Sequence, residues 1–510
     1  MSLAGTASKP FGPKPHGQTP PGSGTSGSGP SSSGPLGPGT DARPLVVDLD
    51  GTLVRSDTLI EAFFWTMGHS PLDGLAALAA LRDGKAALKA RIAAIARLDV
   101  ASLPLNPEVL EFIQAERARG RPIYLASAAD RRFVDELVEK LGLFDGSFAS
   151  DGGINLAGDA KAAALVAAFG EGGFDYIGND AVDLAIWEKA HGVLLADAPA
   201  NLQRKVLARW PTARVLSRRQ AGPRSYLKAI RLHQWAKNLL LLVPAIGAHH
   251  WGLADLRTCV MAFISFSLCA SAVYVTNDLI DLPRDRAHPT KRRRPFAAGT
   301  IPLVHGLVMI PGLLFGALLA GLGVGLPFLA VLLVYGIGTL AYSLVLKRQV
   351  LLDVVTLAGL YGLRLYAGAV AAGVGLSAWL GSFALFLFTC LALVKRCAEL
   401  IDRAAVGEAS APGRGYRVTD LPVLMAMAAA SGYTAILVLA LYADSPAVRA
   451  LYTSPNRLYL ICVVLLYWVS RVLLLTQRNE MHDDPVIFAA TDRLSQACAV
   501  ACGLIVLASM

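Results

Sequence analysis

The chain has 510 residues, 54% of them hydrophobic, with a net charge of +9 and a mean hydropathy of +0.48. That length predicts more than one domain, and apolar content concentrated in the second half excludes an ordinary soluble enzyme. The charge does not signal nucleic acid, because the basic residues sit in short loops between apolar runs and form no patch interleaved with aromatics. The seven cysteines all lie in the apolar half without paired ligand spacing, so neither disulfides nor a thiolate metal site is expected.

Residues 1–42 are Gly, Pro and Ser with almost no large apolar side chains, a composition that cannot offset its ordering entropy and predicts disorder. The N-terminal stretch lacks the apolar core of a signal peptide, so the domain that follows is expected in the cytoplasm. That domain is expected over residues 43–215, with a linker at 216–225. A β-branched run from Pro44 ends in Asp48-Leu49-Asp50-Gly51-Thr52. A second apolar strand with Pro122 at its edge leads to Ser127, and Lys161 opens an Ala-rich helix. A third strand ends in Gly178-Asn179-Asp180 with Asp183 behind it. Strands alternating with helices predict a doubly wound α/β sheet with its site at the strands' C-terminal ends. Residues 57–105 read as a small helical cap.

These motifs, in this order, resemble the haloacid dehalogenase superfamily. The resemblance implies Asp48 as the nucleophile that forms an aspartyl-phosphate and Asp50 as the acid and then the base. It implies Ser127 as a phosphoryl-oxygen ligand and Lys161 as the cation that offsets charge. Mg²⁺ is implied on Asp48, Asp50, Asn179 and Asp183. Asn179 stands where the family shows an acid, which weakens the metal site and keeps a retired scaffold as the alternative for this head.

From residue 226 to 510 the composition changes to nine apolar runs near the ~20-residue length that crosses a bilayer. They fall at about 233–250, 256–276, 302–322, 326–346, 351–372, 378–395, 421–442, 458–476 and 487–508. The expected architecture is an all-α polytopic domain of nine transmembrane helices. The loops after the first, third, fifth and seventh runs carry two basic residues, Arg449 and Arg457, and the other loops carry the rest. That alternation predicts an inner (plasma) membrane protein with the N-terminal domain inside and the C-terminus outside. Membrane lipids are its surroundings, and a homo-oligomer is compatible with the sequence.

The stretch after the second run is the richest in chemistry. Asn277, Asp281 and Asp285 recur every four residues and Asp278 lies one position off. A continuing helix would put all four on one face, where three carboxylates call for a cation among them. An amide with carboxylates is hard oxygen chemistry suited to Mg²⁺ bridging to a phosphate. Lys291, Arg292, Arg293 and Arg294 follow and offer charge-assisted bonds to phosphate oxygens. The plainer explanation, cations anchoring a helix end, accounts for the bases and not for the spacing of the acids.

Nine runs with this loop on the cytoplasmic side resemble the UbiA superfamily of intramembrane prenyltransferases. One branch fits best. Arg231, Gln234, Lys237 and Asn238 open the first run, His288-Pro289-Thr290-Lys291 continues the acidic segment, and Tyr342 and Lys347 end the fourth. Arg364 lies in the fifth, and Lys395, Arg396 and Glu399 end the sixth. This set is similar to the decaprenyl-phosphate phosphoribosyltransferases. Members using a prenyl diphosphate usually carry a second acidic motif after the sixth run, where this chain has Lys395 and Arg396. The resemblance implies phosphoribosyl pyrophosphate as donor and a polyprenyl phosphate as acceptor. Mg²⁺ would sit on Asn277, Asp278, Asp281 and Asp285, and Lys347 and Arg364 would draw off charge. Arg231 and Lys237 would hold the lipid phosphate, while Lys291, Arg293 and Arg294 face the donor. The head would remove the product's 5-phosphate. The rival enzyme is a prenyltransferase acting on an aromatic acceptor, and the rival from another class is a nine-span transporter with a regulatory head. Transporters place their ionisable cluster at the midplane, whereas this one sits at a helix end.

Overall fold

The computed structural model describes residues 43–151, 155–219, 221–248, 252–405, 407, 415–481 and 484–510. The low-complexity tail expected over 1–42 lies outside the described residues.

Six short, mostly buried runs form one parallel sheet: β1 (Leu45–Asp48), β2 (Ile123–Asp130), β3 (Gly146–Ser150), β4 (Asp175–Gly178), β5 (Gly192–Ala196) and β6 (Arg214–Ser217). The order β3-β2-β1-β4-β5-β6 puts the chain reversal between β1 and β4. In such sheets the crevice outside the carboxyl ends at that point is where ligands bind. Asp48 ends β1 and pairs in register with Ala126, so Ser127 and the β4 terminus at Gly178 open onto the same edge. The sequence reading named only the strands at β1, β2 and β4. Its domain end at 215 falls inside β6, which continues to Ser217.

The expected cap is helical. Its first helix, α1 (Thr58–His69), starts where Asp57 accepts the Ile60 N–H at 2.9 Å, a side-chain N-cap. Helices at Pro71–Ala79 and Lys85–Ile95 follow. After the cap, α2 (Asp159–Phe169) carries Lys161 back under the sheet edge.

In the second half, seven helices among the described residues are long and apolar enough to span a bilayer. They are α3 (Leu253–Ile280), Leu303–Leu322, α5 (Leu326–Leu344), α6 (Leu352–Ala372), α7 (Ala378–Ala405), Val418–Ala443 and Pro455–Gln477. The short α4 (Leu282–Ala287) follows α3. Two of the nine expected spans differ. The last is a pair, Pro485–Thr491 and Arg493–Ser509, bent by 79°. Asp492 makes that break, because its side chain caps the second helix on the Ser495 N–H at 2.8 Å.

The first expected span is no single α-helix. It is a 3₁₀ segment, Leu232–Leu242, running into the short helix Val243–Gly247 with Pro244 at its start. Pro244 lacks the N–H that would continue a ladder, and long 3₁₀ runs mark strain or function. Eleven residues at 3₁₀ rise and five at α rise cover about 30 Å, the thickness of a hydrocarbon core. The run therefore has the length to cross, as a thin broken rod. It lies close against its neighbours: a Cβ at Gly368 of α6 would collide with the Leu241 backbone. Trp235 and Asn238 donate to Ser271 and Ser267 of α3, each at 3.0 Å.

The head sits on the acid-rich end of α3 through α1. Glu61 receives both terminal nitrogens of Arg286, at 2.6 and 2.8 Å, with both side chains buried. Arg286 also donates to the Ala297 carbonyl. Close approach needs glycine twice. A Cβ at Gly68 would stand 2.8 Å from the Ile280 side chain, and one at Gly299 (φ +66°) would stand 2.7 Å from the Arg55 carbonyl oxygen. Arg348 donates to the Gly68 carbonyl at 2.5 Å. Removing one partner of a buried pair costs about 3–5 kcal/mol, because the other charge is stranded. Glu61→Ala is therefore expected to loosen the head from the membrane half, while Glu61→Ala with Arg286→Met recovers most of the loss. Limited proteolysis between residues 216 and 225 checks this, and equal cleavage rates in parent and single variant would contradict it.

Candidate active sites

In the head, the chemistry gathers where β1, β2, α2 and β4 end. Lys161 Nζ lies 2.7 Å from Asp48 Oδ1, 3.2 Å from the Ala126 carbonyl and 3.1 Å from the Tyr176 hydroxyl. Burial is the largest influence and would strip its proton, but the bonded Asp48 with the Asp183 and Asp50 charges together outweigh burial and raise the Lys161 pKa. Thr52 Oγ1 donates to the other Asp48 oxygen at 3.1 Å. Ser127 accepts the Ala129 N–H at 3.0 Å, which leaves its own proton to give to a phosphoryl oxygen. Asp50 accepts from the Thr58 backbone N–H and hydroxyl at 2.8 and 3.1 Å, so the start of α1 fixes its direction. Burial and then the Asp57 charge raise the Asp50 pKa to about 8. A carboxyl that keeps its proton near neutrality can protonate a leaving oxygen.

The fourth motif is built differently from its acids. Asp183 Oδ2 accepts the N–H groups of Asn179 and Asp180 at 2.9 and 3.0 Å, and Oδ1 accepts from Tyr176 at 2.9 Å. It braces its own loop. Asn179 leans over motif I so closely that a Cβ at Gly51 would collide with its amide nitrogen. Burial, followed by the Asp48 charge, raises the Asp183 pKa to about 6. Asn179 and the carboxylates of Asp48, Asp50 and Asp183 are oxygen donors of the kind Mg²⁺ takes, but among the described residues no three acidic, His or Cys side chains converge as a metal group.

In the membrane half the four acid-loop residues do not share one face. α3 stops at Ile280, Asp281 is its C-cap, and Pro283 starts α4. Asp278 and Asp285 turn to one side and share Arg294, at 3.3 and 2.6 Å, and Asp278 also receives Arg231. Asp281 turns the other way, with Lys347 at 3.3 Å and Arg284 at 3.6 Å. Asn277 is half-buried beside them. Among the described residues no three acidic, His or Cys side chains converge as a metal group. The expected carboxylate cluster is thus divided, and the cation between Asp278 and Asp285 is a guanidinium. Burial raises the Asp285 pKa against the pull of Arg294.

The remaining cations form two further groups. In a 3₁₀ helix residues three apart eclipse, so Gln234 and Lys237 line one edge of the first span, while Arg231 precedes it as a left-handed N-cap. Lys237 reaches Asp484 at 2.9 Å, and Lys395 of α7 meets the same carboxylate at 2.8 Å. Burial would raise the Asp484 pKa, but Lys395 and Lys237 hold it well below the usual carboxylate range. Arg396 is not beside Lys395. It is buried on Asp353 at 2.9 Å, with Glu399 and the Tyr342 hydroxyl as further partners, and Tyr416 donates to Asp353 at 2.5 Å. Arg364 is buried too, donating to Asn238 Oδ1 at 3.0 Å and the Tyr335 hydroxyl at 2.8 Å, with its guanidinium over the Tyr361 ring. It stands nearer the lysine pair than the acids. Lys291, Arg292 and Arg293 form an exposed 3₁₀ turn. Sequence reasoning missed Asp484, Asp353, Tyr335 and Glu61. Asp484 had a signal, an acid at the mouth of an apolar run.

A profile of the UbiA prenyltransferase family matches residues 239–491, and one of haloacid dehalogenase-like hydrolases matches residues 45–188. The uncharacterized protein y4nM of Sinorhizobium fredii is 38% identical over 459 residues, 89% of this chain and 88% of that one. The nodulation protein NoeC of Azorhizobium caulinodans is 32% identical over 288 residues, 56% of this chain and 93% of that one. The decaprenyl-phosphate phosphoribosyltransferase of Mycobacterium tuberculosis is 40% identical over 182 residues, 34% of this chain and 59% of that one.

The head's geometry makes a prediction about Asn179. Its amide can occupy an acid's place without the charge, so Asn179→Asp should lower the Mg²⁺ concentration at which phosphate release is half-maximal, by about tenfold if one charged ligand is worth about 1.4 kcal/mol. Asp48→Asn should release none. Phosphate release from p-nitrophenyl phosphate against Mg²⁺ concentration measures both, and activity surviving in Asp48→Asn would contradict the assignment.

Proposed function

Because the chain belongs to the UbiA prenyltransferase family and carries a haloacid dehalogenase-like domain ahead of its membrane half, we propose that it makes and then trims a lipid-linked sugar phosphate. The transferase moves 5-phosphoribosyl from phosphoribosyl pyrophosphate to a polyprenyl phosphate at the cytoplasmic face. The head then removes the 5-phosphate.

The observation that carries this reading is the pairing of Lys237 and Lys395 on Asp484. Two ammonium groups 2.8 and 2.9 Å from one buried carboxylate hold a single anion, at the position where users of a prenyl diphosphate need a second acidic motif. A phosphate monoester could take that place with the same donors. The 40% identity to a decaprenyl-phosphate phosphoribosyltransferase supports the same substrates.

The roles follow from the charges. Mg²⁺ held by Asp278 and Asp285, the two carboxylates that turn to one side, would neutralise the departing pyrophosphate, with Asp281 facing the donor from the other side. Arg294, Arg231 and Lys347 already lie on these acids and would turn to the phosphate oxygens as the donor binds. The acceptor needs no strong base, since a phosphate monoester is ionised at neutral pH. In the head, Asp48 would attack the 5-phosphate, Asp50 would protonate the leaving 5-hydroxyl, and Lys161 and Ser127 would hold the transferred group.

With the donors offered separately to purified protein, turnover is expected with phosphoribosyl pyrophosphate and a polyprenyl phosphate, and little with a prenyl diphosphate and an aromatic acid. Asp281→Asn keeps shape and loses charge, so transfer should fall about 100-fold or more. The reverse donor preference would give the site to the prenyltransferase reading, and near-parental transfer by Asp281→Asn would remove the acid loop from catalysis.

A further inference from the structure

The C-terminal turn of α1 lies against the acid-rich loop, and a cavity of about 130 Å³ sits between them. Trp65 and His69 of the head form one wall. Asp281 and Arg284 form a second, and Lys347 and Arg348 at the end of α5 a third. With one carboxylate against three cations the cavity is positive and suits an anion. Its volume is that of about four water molecules, enough for a small polar group and too little for a lipid chain. Two of the cations are held loosely, since Lys347 and Arg284 stand 3.3 and 3.6 Å from Asp281, while Arg348 is bonded to the Gly68 carbonyl.

The head's wall has a different chemistry. Trp65 and His69 stack face to face with ring centroids 3.9 Å apart and planes 17° apart, so each ring keeps one open face and its edge. His69 Nδ1 lies 2.9 Å from the Trp65 carbonyl oxygen, so it carries the proton and Nε2 is left as an acceptor. A ring face that takes C–H groups, beside an acceptor for a hydroxyl, is the recognition chemistry of a sugar ring. The contact is built in: Gly68 lets α1 close onto Ile280, and Arg348 fastens the Gly68 carbonyl.

We propose that α1 of the head is a wall of the transferase's own donor site, with Trp65 and His69 contacting the sugar ring of a phosphorylated sugar whose anionic groups rest on Arg284, Lys347 and Arg348. This rests on the donor reading above and adds to it. The phosphatase domain then does more than follow the transfer, because it helps select what is transferred. A donor whose carbon part is an isoprenoid gains nothing from a hydroxyl acceptor.

The test uses the full chain in detergent micelles, with each substrate varied in turn. Trp65→Ala and His69→Ala should each raise KM for phosphoribosyl pyrophosphate about tenfold, the scale of a lost stacking or hydrogen-bond contact. KM for the polyprenyl phosphate should stay within about twofold, and Trp65→Phe should restore most of the loss. Hydrolysis of p-nitrophenyl phosphate by the same samples reports that the head is folded. An unchanged donor KM in both alanine variants overturns the proposal while leaving the donor reading intact. An equal rise in both KM values, or a fall in kcat alone, assigns the two residues to structure and overturns it as well. No turnover of phosphoribosyl pyrophosphate by the parental chain defeats the donor reading and the sugar contact together.

Discussion

The Glu61–Arg286 pair is the interaction on which the arrangement of this protein depends. It lies in the first turn of α1, three residues after Thr58, whose N–H and hydroxyl hold Asp50. On the other side it lies one residue from Asp285, whose carboxylate holds Arg294. One buried ion pair therefore connects the haloacid dehalogenase-like motif to the acid-rich loop. Arg286 has a second partner in the Ala297 carbonyl, and Glu61 a second in the Ser56 hydroxyl. Such satisfaction is what lets a charge pair persist away from water. The helix is short: from Thr58 to His69 it rises about 16 Å. Under the proposed reaction sequence, a product released beside the C-terminal end of α1 would be held near the head by that tether, which raises its local concentration without any new contact.

The membrane half is organised by the same constraint on buried charge. Each buried carboxylate there has a cation: Asp278 has Arg231 and Arg294, Asp285 has Arg294, Asp353 has Arg396, and Asp484 has Lys237 and Lys395. An unpaired buried charge is costly, which is why each of these has a partner. The pairs nonetheless differ in kind. Arg396 and Asp353 are almost wholly enclosed and are further tied by Tyr416, as suits a fixed brace between α6 and α7. The bonds to Asp281 are long and open to a cavity, as suits groups that must exchange one partner for another when a ligand arrives.

Much of this was legible from local pattern. Asp48, Ser127, Lys161 and the acid loop were found because each sits at a fixed place relative to an apolar run. The four-residue spacing of Asn277, Asp281 and Asp285 survives as hydrogen bonds, since Asp281 N–H reaches the Asn277 carbonyl and Asp285 N–H reaches that of Asp281. Pro283 nevertheless turns the side chains apart, and spacing alone carries no record of that. The 3₁₀ form of Leu232–Leu242 was not legible, because an apolar run has nearly the same composition at three residues per turn as at 3.6. The partners of Lys395 and Arg396 were not legible for another reason. Adjacent in sequence, they point about a quarter-turn or more apart on α7, and their acids come from residues 89 and 43 positions away, Asp484 and Asp353. Pairing over such distances leaves no trace in local composition.

The central claim, that one chain both attaches a phosphorylated pentose to a lipid phosphate and removes its 5-phosphate, is tested most directly with a doubly labelled donor. Phosphoribosyl pyrophosphate carrying ³²P in its 5-phosphate and ¹⁴C in its ribose is incubated with the full chain, Mg²⁺ and a polyprenyl phosphate, and the lipid and aqueous phases are counted separately over time. The account predicts ¹⁴C accumulating in the lipid phase, with ³²P entering that phase first and then leaving it as inorganic phosphate. A lipid phase that gains neither label, or that keeps both in a constant ratio, would contradict it.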